Sequence, residues 1–77
     1  MVVRILVWSL FDSKTTIEEL RAALPPLAEP SAWIWSEAGE RFGALVHGDE
    51  VPEALTEARG LIGRDPDVYE EFDVLEL

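Results

Sequence analysis

The feature that most restricts the fold of this chain is the order in which strand-like and helix-like segments follow one another. Four segments are rich in Val, Ile, Leu and aromatic residues, which is typical of strands. Two other segments repeat apolar residues at helical spacing. The order is strand, helix, strand, strand, helix, strand, and no solenoid-type repeat or low-complexity tract interrupts it.

The first half of this pattern contains one strand and one helix. Met1 to Leu10 predicts strand β1. A threonine followed three residues later by a glutamate forms a capping box, and two pairs have this spacing: Thr15 with Glu18, and Thr16 with Glu19. Helix α1 follows, with the apolar stripe Ile17, Leu20, Ala23 and Leu24. Pro25-Pro26 ends it, because proline disfavours helix in the residue before it.

A hairpin is predicted in the middle of the chain. Ala32 to Ser36 predicts strand β2 and Arg41 to His47 predicts strand β3. Only Glu37 to Glu40 separates them, and so short a connection joins antiparallel neighbours.

The last third predicts a helix and a strand. Helix α2 begins near Pro52 and runs to about Gly63, a residue suited to a helix C-terminus. Val68 to Leu77 predicts strand β4. We therefore predict one α+β domain over residues 1–77, a ferredoxin-like βαββαβ sandwich. Its four-stranded antiparallel sheet has the strand order 4-1-3-2, with both helices on one face.

Composition excludes several functional classes. The net charge of −10 disfavours nucleic acid and anionic membranes as partners. The apolar runs are too short to span a bilayer, and the first residues lack the pattern of a secretory signal. Without cysteine and with a single histidine, we expect no disulfide, no metal site, no cofactor and a cytoplasmic location.

The alternation of side chains along the strands predicts two different sheet faces. The compact set is expected beneath the helices: Val3, Ile5, Val7, Ile34, Phe42, Ala44, Val46, Phe72 and Val74. The other set is expected to face away from them, and it contains the residues we predict as a ligand or interface face: Leu6, Trp8, Trp33, Trp35, Leu45, His47 and Tyr69. Arg4, Glu71 and Asp73 share that set, and if this face is covered, Arg4 is the expected partner of the two carboxylates.

Three exposed tryptophans would form a larger apolar patch than most monomers tolerate. A second copy, packed sheet against sheet, is the simplest cover and predicts a homodimer. A pocket for a small aromatic ligand and a different protein partner are alternatives, and a one-residue slip of register would exchange the faces.

No catalytic set is apparent. His47 beside the tryptophans could act as a general base, but a lone histidine is more often structural. His47 with Asp49 and Glu50 is a weak metal pattern, because such close spacing hinders convergence on one ion.

Four segments resemble the dimeric α/β-barrel superfamily, which includes antibiotic-biosynthesis-type monooxygenases: Trp33 to Glu37, Phe42 to Val46, α2, and Tyr69 to Val74. The resemblance implies a homodimer with facing sheets and a cofactor-independent oxygenase site or ligand pocket, and it transfers no catalytic residue.

The favoured function is a homo-oligomeric binding or interaction domain. Two alternatives stay open: a cofactor-independent, monooxygenase-like enzyme for a small aromatic substrate, and an acidic protein that docks on a basic partner.

Overall fold

The computed structural model describes residues 1–49 and 51–75, and the predicted order of elements is confirmed. The six elements are β1 (Val2–Ser9), α1 (Ile17–Ala23), β2 (Ala32–Ser36), β3 (Arg41–His47), α2 (Glu53–Ile62) and β4 (Val68–Asp73). Strand β4 ends four residues earlier than predicted: Val74 and Leu75 lie beyond it, and residues 76–77 lie outside the described ranges, as does Glu50 of the weak metal pattern.

The sheet has the predicted topology. Its strands lie in the order β2-β3-β1-β4, which is 4-1-3-2 read from the opposite edge, and every neighbouring pair is antiparallel. The α+β ferredoxin-like sandwich is therefore confirmed. Strands β1 and β3 are central, and β2 and β4 are the edges.

Local signals place both helices. Thr16 caps α1, its hydroxyl accepting the Glu19 amide hydrogen at 3.1 Å, so the second predicted Thr–Glu pair supplies the N-cap, and the Thr16 hydroxyl also donates to the Glu19 carboxylate at 3.3 Å. Pro52 lies at the N-cap of α2 rather than inside its first turn. Gly63 ends α2 with φ of 89°, a left-handed conformation that glycine adopts without strain, and its amide donates to the Arg59 carbonyl at 2.7 Å.

Both helices pack on the same side of the sheet. Leu20 of α1, Leu24 at the C-cap of α1, and Leu55 and Ala58 of α2 are buried against the strands. The strand residues that they cover are Leu6, Trp8, Phe42, Ala44 and Val46. Trp8 and Phe42 are the largest of the fully buried side chains.

The prediction of the two faces was right for β3 and wrong for the other three strands. Phe42, Ala44 and Val46 lie beneath the helices as expected, and Leu45 and His47 face away. On β1, however, Leu6 and Trp8 pair directly with Ala44 and Phe42 and share their side. The same register brings Trp33, Trp35 and Tyr69 to the helix side and Val3, Ile5, Val7, Ile34 and Phe72 to the other.

The connection from α2 to β4 is fastened to the end of β1. The Trp8 indole N–H donates to the Arg64 carbonyl at 2.9 Å. Asp67 accepts the Ser9 amide hydrogen at 2.7 Å and a guanidinium hydrogen of Arg64 at 3.1 Å, and Arg64 also donates to the Ser9 carbonyl. These bonds hold the start of β4 against its partner strand.

Asp67 makes the stability of this connection pH-dependent. The hydrogen bond from the Ser9 amide lowers the pKa of Asp67 against an opposing effect of desolvation, and the charge of Arg64 lowers it further. A carboxyl with a lowered folded pKa stabilises the fold above its unfolded pKa and loses this contribution as pH falls through the folded value. We therefore expect Asp67→Asn to be less stable than the wild type at neutral pH. Below about pH 4, the unfolding free energy of the variant should fall less than that of the wild type.

Urea unfolding of the wild type and the variant, measured from neutral pH down to about pH 2.5, checks this expectation. Asp65→Asn is the matched control, because Asp65 lies in the same connection but pairs with Arg59 at 3.0 Å instead of with β1. Parallel pH profiles for the wild type and Asp67→Asn would contradict the assignment.

Candidate functional site

The sheet side away from the helices, here called the open face, is a nearly continuous apolar surface. Strand register assigns its members: Val3, Ile5, Val7 and Ser9 of β1, Ala32, Ile34 and Ser36 of β2, Arg41, Gly43, Leu45 and His47 of β3, and Val68, Glu70 and Phe72 of β4. Eight of these fourteen are aliphatic or aromatic. Phe72 is 44% exposed, and no helix of the described chain lies over it.

Charge is nearly absent from the open face. In the described ranges it carries one carboxylate, Glu70, and one guanidinium, Arg41. The chain as a whole has a net charge of −10. The acidic surface therefore lies elsewhere, and the open face is the side through which two copies meet the least repulsion.

A depression interrupts the open face over Gly43. It holds about 190 Å³ and is bordered by Val7, Ile34 and Arg41. A Cβ on Gly43 would lie 2.1 Å from the Leu6 carbonyl oxygen, so strands β3 and β1 approach too closely here for any side chain. The depression follows from this close backbone approach.

The molecule exposes more surface than its mass requires. Its accessible surface is 5417 Å². A compact monomer of 8.6 kDa exposes about 4,700 Å² by the usual scaling with mass. The excess is roughly 700 Å².

The predicted interface residues do not form one surface. Leu45 and His47 lie on the open face. Leu6 and Trp8 belong to the core, and Trp8 is only 1% exposed. Trp33, Trp35 and Tyr69 lie on the same side of the sheet as Leu6 and Trp8, as predicted, but this is the side that carries the helices and not the side away from them.

Each tryptophan already has partners within its own chain. The Trp33 indole N–H donates to the Pro25 carbonyl at 2.8 Å, and its ring stacks on Phe42 with centroids 5.4 Å apart. The guanidinium of Arg21 lies 4.5 Å above the Trp35 ring, a cation–π contact. The indoles therefore stabilise the packing of α1 and its following loop on the sheet.

His47 is isolated from these aromatic rings because the sheet lies between them. Its backbone N–H donates to the Ser31 hydroxyl at 3.0 Å, and its side chain is half-buried at the end of β3. Its Nδ1 has no hydrogen-bond partner in the described ranges. The structure therefore does not bring His47 together with the tryptophans.

A cavity lies on the helix side, between α2 and β4. It holds about 560 Å³, and Leu6, Trp8, Leu55 and Tyr69 contribute to its walls. Arg4 also borders it and donates to the Gly48 carbonyl at 3.0 Å. Arg4 and Glu71 are direct neighbours across β1 and β4, while the Glu71 carboxylate accepts the Tyr69 hydroxyl at 2.9 Å.

Among the described residues, no three His, Cys, Asp or Glu side chains converge on a common point. No helix within residues 1–49 and 51–75 has the length and apolar character needed to cross a bilayer.

The residues that sequence reasoning missed are Val3, Ile5, Val7, Ile34 and Phe72. They were expected beneath the helices. Four of the five are β-branched, and this was the feature of the sequence that could have placed them on the other side. β-Branched side chains pack well on a pleated, half-buried surface, whereas Leu and Trp reach further into the gap between sheet and helices.

Comparison with known proteins finds no family model that matches the chain and no similar curated protein. The resemblance to the dimeric α/β-barrel superfamily accordingly stays a prediction.

Proposed function

We propose that this protein is a self-associating binding domain whose working surface is the open face. The observation that carries the proposal is the row of apolar side chains on β1, β2, β3 and β4 that no helix covers. Apolar patches of several hundred Å² on small domains mark interaction sites. The sheet geometry gives this face on the order of 400 Å² in plan.

Burial of this face provides the driving force for self-association. Each 100 Å² of apolar surface removed from water contributes about 2.5 kcal/mol before the costs of association. Only about 60% of the unfolded surface is buried when a domain of this size folds, so the added burial is large relative to its stability. A thin sandwich of this kind gains most from a partner that covers the entire face.

A second copy is the partner that the charges favour. The open face is nearly neutral, so two such faces meet without the repulsion that the remaining acidic surface would cause. A two-fold arrangement also makes the same patch complementary to itself. The facing-sheet dimer implied by the sequence resemblance uses this side of the sheet.

The alternatives are less well supported. The oxygenase hypothesis required the tryptophans and His47 to border one aromatic pocket, and the sheet separates them. A small aromatic ligand has the depression over Gly43 as its nearest cavity on the open face, and this depression is shallow and partly polar. Docking of the acidic surface on a basic partner stays a prediction. A cytoplasmic location stays part of the proposal, because a chain without cysteine has no need of an oxidising compartment.

Ile5→Lys tests the proposal at the centre of the open face. Ile5 lies opposite Leu45 on one side and Glu70 on the other. A lysine there would place a charged side chain in the apolar contact of each copy, where its desolvation is costly, and we expect the particle mass measured by sedimentation to fall by half. Phe72→Lys, on the more exposed β4, is expected to have the same effect with less risk to the fold.

The matched control is Leu61→Lys. Leu61 is a 48% exposed leucine on α2, away from the open face, so the same introduced charge should leave the mass unchanged. Wild-type mass for both face variants, with cooperative unfolding retained, would reject the open face as the contact surface.

A further inference from the structure

Strand β2 is an edge of the sheet without the usual protection against strand pairing. It consists of Ala32, Trp33, Ile34, Trp35 and Ser36, with no charge, proline or glycine among them. Proteins normally protect a sheet edge with charged residues, proline or a covering segment. The opposite edge, β4, follows that rule, because it carries Glu70, Glu71 and Asp73.

The hydrogen-bond pattern shows which groups of β2 point outward. The Gly48 amide donates to the Val2 carbonyl at 2.9 Å, so the even-numbered residues of β3 bond to β1. The odd-numbered residues therefore bond to β2, through its residues Ala32 and Ile34. The amide groups of Trp33 and Trp35 consequently face away from the sheet, and none of the turn or loop backbone bonds in the described ranges uses them.

We propose that β2 pairs antiparallel with β2 of a second copy and joins two sheets into one of eight strands. A register centred on Ile34 places Ile34 opposite Ile34 and Trp33 opposite Trp35 of the other copy. The outward amides then exchange ~four backbone hydrogen bonds across the two-fold axis. No charged side chain is opposed in this register.

The composition of the two edges selects β2 over β4 for self-pairing. Antiparallel pairing of β4 with itself would bring three carboxylates per strand into one ladder, and like charges across a ladder are destabilising. Pairing of β2 instead extends the apolar open face, because Ile34 belongs to both surfaces. The edge pairing uses the outward backbone groups of β2 and the open-face contact uses side chains, so one subunit can make both contacts; with perpendicular two-fold axes they close into a particle of four copies.

Trp35→Pro tests the strand pairing directly. Proline removes an outward N–H and leaves the β2–β3 ladder intact, since Trp35 does not donate to β3. Trp35→Val is the matched control, because it also removes the indole but retains the N–H. We expect sedimentation to give half the wild-type mass for Trp35→Pro and the wild-type mass for Trp35→Val; equal masses for the two variants, whether full or halved, would overturn the pairing.

Hydrogen exchange of the wild type provides a measurement that does not depend on the folding of a variant. The Trp33 and Trp35 amides are expected to be protected in the concentrated protein and to lose protection on dilution below the association range. Exchange at the rate of free amides at both concentrations would overturn the pairing.

The edge pairing and the open-face contact can be rejected independently of each other. Ile5→Lys alone is expected to leave a pair joined through β2, and Ile5→Lys with Trp35→Pro is expected to give single subunits. If Ile5→Lys keeps the wild-type mass while Trp35→Pro halves it, the edge pairing stands and the open-face proposal fails. A wild type with the mass of one subunit would overturn both.

Discussion

Replacing Gly43 with alanine is expected to leave the chain largely unfolded. The new Cβ would lie 2.1 Å from the Leu6 carbonyl oxygen and 3.1 Å from the Val7 Cα, both backbone atoms of a central strand. Relief requires β3 to move away from β1, which breaks the ladder that joins the two halves of the sheet. Overpacking of a core costs about 1–3 kcal/mol even where side chains can yield, and here the backbone must yield. The whole domain has only about 4–12 kcal/mol of stability.

Gly60→Ala is the matched control for this substitution. Gly60 lies inside α2, and a Cβ built on it has no atom within 4 Å. Alanine there should stabilise the helix by about 0.5–1 kcal/mol. Urea unfolding followed by circular dichroism separates the two outcomes, and a folded Gly43→Ala protein of near wild-type stability would show that the strands are not as close as described.

Truncation of Trp8 is expected to have the second-largest effect. Trp8 is fully buried between the sheet and the helices and fastens the α2–β4 connection through its bond to the Arg64 carbonyl. Trp8→Ala is expected to lower the unfolding free energy by about 3–5 kcal/mol, because it leaves a large cavity. Trp8→Phe retains most of the packing but loses the hydrogen bond, which costs about 1 kcal/mol in addition to the smaller packing change.

The same truncation at Trp35 is the control. Trp35 is 44% exposed and contacts Arg21 at the surface, so Trp35→Ala should cost much less than Trp8→Ala. Denaturant titrations at one protein concentration give the comparison. Equal losses for the two variants would mean that the tryptophans share one environment, as the sequence alone had suggested.

The order of elements and the sheet topology could be predicted because local signals are strong. A proline pair, a threonine N-cap and a left-handed glycine bound the helices, and a four-residue connection imposes the hairpin. The βαββαβ order then leaves few arrangements with both helices on one side. Each of these arguments needs only neighbouring residues.

The assignment of faces on β1 needed information that neighbouring residues do not contain. Val3, Ile5 and Val7 alternate with Leu6, Trp8 and Leu10, so both faces of this strand are apolar. On β3 only one of the two faces, that of Phe42, Ala44 and Val46, is free of polar residues and glycine, and for this strand the prediction was right. Without a polar face, the register of β1 depends on the volume that the helices leave to fill.

Arg4 strengthened the wrong assignment. A charged residue in the same alternation as Leu6 and Trp8 suggested a solvent-facing side, yet Arg4 is only 8% exposed and donates to the Gly48 carbonyl. Likewise, the Trp8 partner Arg64 lies 56 positions away in the sequence, and only the folded chain brings the two together. The spacing of apolar residues along the sequence does not reveal polar partners that are so far apart in the chain.

The most direct test of self-association through the open face is an isotope-filtered NOE measurement on a mixture of labelled and unlabelled chains. Contacts between copies are predicted from the Ile5 and Leu45 methyl groups and from the Phe72 ring, and none from Leu61 on α2. If Ile5, Leu45 and Phe72 show contacts only within their own chain at a concentration where the particle contains more than one copy, the open face is not the surface that joins them.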